Sequence, residues 1–154
     1  MSTQADYTPD EWHTLVHAPV QASMLVIKAD QGTGFTARFG VVQETKDAHT
    51  AVEKVADTAV TPLVREAAKS LLEEKSWKPL YEGSSPESVT TSLQSVASIL
   101  EKKAATDEAV AYKQYVLDIA QKTASATKES GDKNTSPKEA VALQQIAGLL
   151  KLNG

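Results

Sequence analysis

No cysteine occurs in the 154 residues. That absence removes disulfide frameworks, thiolate zinc sites, cysteine-ligated iron–sulfur clusters and cysteine nucleophiles together. Aromatic residues make up only 5%, so a core must be assembled from aliphatic side chains and alanine. Seven glycines and six prolines are too few for the frequent turns of a β-sandwich or barrel. An excess of positive charge is missing too. Sixteen Lys and Arg against 20 Asp and Glu give a formal charge of −4, which argues against nucleic acid or an anionic membrane surface as partner. No apolar run is long enough to cross a bilayer, since even Val20 to Ile27 is too short. The opening Met1-Ser2-Thr3-Gln4-Ala5-Asp6 lacks the basic start and apolar stretch of a secretory signal. A cytoplasmic location is the expectation.

What is present is helix grammar. Apolar residues reach 41%, enough for one globular core in a chain of this length. Thr8-Pro9, Thr61-Pro62, Ser85-Pro86 and Ser136-Pro137 each set a hydroxyl before a proline, ahead of a helix-compatible stretch. The hydroxyl can accept a bond from a free first-turn N–H, and proline at the first helical position has no N–H to leave unpaired. Thr8 and Ser136 are followed three residues later by Glu11 and Glu139, the partners of a capping box. Thr106-Asp107-Glu108 marks a fifth start, with acids at the positive helix end.

Periodicity fills in the elements. The first helix is expected from Pro9 to Asp30, with Trp12, Val16, Val20, Met24 and Ile27 on one face and a kink or break near His17 caused by Pro19. A second helical region covers Phe35 to Ala59, with a candidate interruption near Asp47-Ala48, and a third runs from Pro62 to Lys75. Residues Trp77 to Ser85 read as a connection whose Trp77, Leu80 and Tyr81 pack back onto the bundle. Pro86 to Lys103 carries the stripe Val89, Leu93, Val96 and Leu100. Asp107 to Lys128 offers Ala109, Tyr112, Val116, Ile119 and Thr123, with one of Tyr112 and Tyr115 in the core and the other partly exposed. Pro137 to Leu150 presents Val141, Leu143, Ile146, Leu149 and Leu150. The expected fold is all-α, about six helices in one compact antiparallel or orthogonal bundle spanning 1–154, with residues 1–7 a flexible start.

The best chemical constellation is Asp10-x-x-His13-x-x-x-His17. Histidines four apart share a helix side and can reach one divalent metal ion, with Asp10 adding an oxygen. A zinc protease needs glutamate directly after the first histidine, and Thr14 stands there. A di-iron bundle needs two Glu-x-x-His repeats, and the chain has none. The segment Asp30-x-Gly32-x-Gly34 lacks the oxygen side chains of a calcium loop and reads as a helix-ending turn. No phosphate loop, dinucleotide fingerprint or nucleophile elbow is found. Pairs such as Glu73-Glu74 read as a solvated face.

Two stretches carry a resemblance. Glu11-Trp12-x-x-Leu15-x-x-Ala18-Pro19 and Tyr112-Lys113-x-Tyr115-x-Leu117-x-Ile119-Ala120-x-Lys122 resemble a group of small bacterial helical proteins of unassigned activity. The end of the chain, Ser136-x-x-Glu139-x-x-x-Leu143-x-x-Ile146-Ala147-x-x-Leu150, is similar to that group and to the last helix of the TerB-like tellurite-resistance family. The TerB-like resemblance implies an all-helical domain, acidic metal-binding positions and a link to stress response or membrane-associated complexes. Of those positions only Asp30 carries over, because Ala37-Arg38 replaces the acid that follows.

The functional expectation is a non-catalytic helical interaction domain, acting on a protein partner or by self-association. Trp12, Trp77, Tyr81 and Tyr115 are the candidate contact residues, because large aromatic side chains dominate interfaces. The alternative is a metal- or haem-binding stress-response protein using Asp10, His13 and His17.

Overall fold

The computed structural model of the chain describes residues 3–30, 49–74, 77, 85–126 and 137–152. Their backbone is helical throughout its regular parts, and no strand occurs among them. A short 3₁₀ turn, η1 (Gln4–Asp6), precedes α1 (Pro9–Asp30). Then come α2 (49–58), α3 (Pro62–Leu72), α4 (Pro86–Lys103), α5 (Thr106–Ala126) and α6 (Pro137–Leu149). Gln31–Gly34 of the expected loop, the region from Phe35 to Ala48, Leu80, Tyr81 and the cap at Ser136 lie outside the described residues.

The helix starts follow the chemistry of their first turns. At α1, Thr8 N–H donates to Glu11 Oε1 at 2.9 Å and Glu11 N–H returns to Thr8 Oγ1 at 3.2 Å. At α4 the box is made of two serines. Ser85 N–H donates to Ser88 Oγ at 2.8 Å, and Ser88 N–H donates to Ser85 Oγ at 3.1 Å. At α5 the Glu108 carboxylate accepts from Ala105 N–H at 3.3 Å, so the helix opens at Thr106, one residue earlier than expected. Thr61 makes no side-chain cap, and Pro62 alone marks the start of α3.

α1 is the centre of the bundle. It packs against α3, α4, α5 and α6. Every residue from Leu15 to Val26 is buried except the half-buried Gln21. A helix apolar on nearly all sides must be enclosed, whereas a single stripe would have left one side wet. Ala18, Ala22 and Ser23 are fully buried and let neighbouring backbones come close. The buried hydroxyl of Ser23 donates to Pro19 O at 2.8 Å.

Pro19 does not end α1; of the kink or break expected near His17, the break does not occur. A proline lacks the N–H that would bond four residues back, which leaves Leu15 C=O without its ladder donor. Tyr112, fully buried on α5, donates its hydroxyl to that carbonyl. The defect of one helix is thereby repaired by another.

Two further expectations need correction. Tyr112 and Tyr115 are both buried, not one in and one out. Val141 is 64% exposed, and α6 instead turns Ala142, Ile146 and Ala147 inward, followed by Leu150 just past its end. Within residues 3–7, η1 is held by Thr3 N–H to Asp6 Oδ2 at 2.8 Å, and Tyr7 is buried in the core.

Candidate functional site

An open groove of about 800 Å³ lies between η1, the first half of α1 and the last half of α3. Tyr7, Trp12 and Val16 form its apolar wall, and His13, His17, Glu66, Ser70, Glu73 and Glu74 supply its polar groups.

Each wall is anchored. Tyr7 and Trp12 have ring centroids 5.9 Å apart, and Lys103 Nζ stands 5.9 Å from the Tyr7 centroid. The same Lys103 Nζ donates to Glu11 Oε1 at 2.5 Å, tying the end of α4 to the start of α1. Lys103 and the capping N–H of Thr8 hold the Glu11 carboxyl below its usual range. Across the groove, Trp12 Nε1–H donates to Ser70 Oγ at 3.3 Å.

The polar end is a chain of three side chains. His13 and His17 stand one turn apart on α1, so their rings meet edge to face with centroids 4.1 Å apart. His13 Nε2 and His17 Nδ1 are 3.1 Å apart. On its other side, His17 Nε2 is 2.5 Å from Glu74 Oε1, a residue 57 positions later. His17 is buried, Glu74 half-buried and His13 exposed. Glu74 owes its place to the tightened end of α3, where its N–H donates to Leu71 O at 3.1 Å. Trp77 Nε1–H donates to the same carbonyl at 3.2 Å and pins the turn.

Of the residues singled out in the sequence, the structure joins His13 to His17 but not to Asp10. Asp10 is exposed on the first turn, and its carbonyl accepts from Thr14 Oγ1 at 3.0 Å. Among the described residues no three His, Asp or Glu side chains are grouped so as to enclose an ion. Glu74, read in the sequence as solvated, takes the place next to the histidines. No local signal could have revealed it, because the pairing is made by the packing of α3 on α1.

Of the aromatic candidates among the described residues, only Trp12 lines the groove. Trp77 is buried and packs against His49, with ring centroids 5.0 Å apart and planes tilted by 38°. Tyr115 is buried, its hydroxyl without a hydrogen-bond partner among the described residues, and burial drives its ionisation far up from the phenol range. Both belong to the buried core. Tyr81 lies outside the described residues. No helix among the described residues is long and apolar enough to cross a membrane.

No known family, curated protein or solved structure matches the chain, so the groove has to be read from its own geometry.

Proposed function

We propose that the protein is a non-catalytic helical interaction domain that binds a polypeptide segment carrying lysine or arginine, in the groove between η1, α1 and α3. A cytoplasmic setting belongs to the same proposal, and a stress-related role is supported by the sequence resemblance alone. The observation that carries the proposal is the groove's one-sided charge. Glu66, Glu73 and Glu74 line it, with neither lysine nor arginine among its described lining residues. Tyr7 and Trp12 stand on the same walls. A side chain with an apolar stem and a cationic head can lie along such rings and end on a carboxylate. With Glu74 engaged by His17, Glu66 and Glu73 are the groups that would meet the cation.

Fluorescence anisotropy with labelled synthetic peptides tests this. Peptides rich in lysine or arginine should bind and weaken as salt rises, while the same peptides with glutamine in those positions should not bind. Glu66→Lys and Glu73→Lys should each weaken binding about tenfold, or about 1.4 kcal/mol. Equal binding of the glutamine peptides, or no effect of the charge reversals, would overturn the proposal. Assembly that depends on dilution in light scattering, and that these reversals abolish, would make a second copy of the chain the occupant instead.

A further inference from the structure

The geometry points to a second property of the same region, independent of peptide docking: a two-histidine binding site for a divalent first-row transition metal ion, formed by His13 and His17 and oriented by Glu74. Its ligand set is not the one the sequence suggests, since Asp10 has no part in it.

Two distances carry the inference. Nitrogens that share one ion at about 2.0–2.1 Å stand roughly 2.9–3.4 Å apart at bond angles of about 90–110°. His13 Nε2 and His17 Nδ1 are 3.1 Å apart, within that span. The second distance decides which atoms hold protons. A carboxylate only accepts, so the 2.5 Å contact with Glu74 Oε1 places a proton on His17 Nε2. In the neutral ring Nδ1 then carries the lone pair, and Nδ1 is the atom turned toward His13. A carboxylate behind a ligating imidazole is the usual device for fixing its tautomer and raising its basicity.

Burial divides the labour. His17 is 5% exposed and is held between Glu74 and His13, so little ordering remains to be done on binding. His13 is exposed beside the groove and gives an ion its path in. Without an ion, His13 Nε2–H donates to His17 Nδ1. Metal binding moves that proton to the other nitrogen of His13 and puts both lone pairs on the ion, so no proton need be released. No third described side chain completes the set, which leaves the other coordination positions to water or to a bound donor. Imidazole pairs of this kind favour copper over nickel and zinc and reject magnesium and calcium.

The test is calorimetric titration of the full chain, stripped with a chelator, using Cu²⁺, Zn²⁺ and Mg²⁺ separately in a non-coordinating buffer. One Cu²⁺ or Zn²⁺ per chain is expected, Cu²⁺ binding more tightly, with no heat from Mg²⁺. His13→Gln alters an exposed residue and should retain the helical circular dichroism while weakening binding about a hundredfold. Glu74→Gln should weaken it about 10–100-fold through His17. His49→Gln should change nothing. Copper electron paramagnetic resonance should show two coupled nitrogens in the wild type and lose one in His13→Gln. Binding that His13→Gln leaves unchanged, or the lack of any stoichiometric binding, would overturn the inference.

Discussion

At the residue scale, the most informative contact joins Tyr112 to Leu15 across 97 positions of sequence. Pro19 creates the unpaired carbonyl and Tyr112 removes it. Tyr112→Phe keeps the ring but strands a buried acceptor, and should cost about 1–3 kcal/mol. Thermal unfolding checks this, because about 2–4 °C of Tm is lost per kcal/mol in a chain of this size. In a Pro19→Ala background the ladder N–H returns, so the same Tyr112→Phe change should cost much less. Equal losses in both backgrounds would mean that the hydroxyl acts otherwise. Glu11 offers a second check. Its lowered carboxyl pKa means that its contribution to stability is present above the unfolded carboxyl's pKa. That contribution is lost as pH falls through the lowered folded value. Lys103→Met should move the Glu11 titration upward in NMR.

At the element scale, the hydroxyl–proline starts mark helix beginnings because capping is settled by residues three apart. Ser85→Ala removes the oxygen that accepts from Ser88 N–H and should destabilise the protein by about 1 kcal/mol, measured by urea unfolding. At the far end of α6, Lys151 rather than a glycine takes the left-handed turn, with φ 58°. Its N–H donates to Gly148 O at 3.1 Å, and Leu152 N–H reaches Ala147 O at 2.9 Å. Lys151→Gly should therefore stabilise the protein by about 0.5–1 kcal/mol in the same assay. Val141 is a related case. Both Val141 and Ala142 satisfy a helical period, and only the packing of α6 on α1, α4 and α5 turns Ala142 inward.

At the scale of the whole molecule, α1 acts as a shared wall. Its enclosed face meets the core helices, and its opening turns with η1 and α3 form the groove. Tyr112 and Tyr115 sit within that core. Burial raises the ionisation of both Tyr112 and Tyr115 above the ordinary phenol value near 10. The stability linked to these phenols is complete below the unfolded tyrosine pKa and falls as pH rises above about 10. An alkaline titration followed at 295 nm should thus show Tyr112 and Tyr115 ionising together with loss of helical circular dichroism. Ionisation of either phenol in a chain that remains folded would contradict their burial.

Much of this protein was legible in its residues taken alone: an all-α chain, the starts of its helices, the inward stripe of α4 and the shared side of His13 and His17. Those features depend on neighbours three or four positions apart, and local hydrogen bonding and periodicity decide them. The tertiary structure decided the rest. It enclosed α1 on nearly every side, paired Tyr112 with the carbonyl freed by Pro19, sent Trp77 and Tyr115 into the core, and brought Glu74 to His17. These contacts join residues far apart in the chain, and only helix packing determines which distant side chains meet.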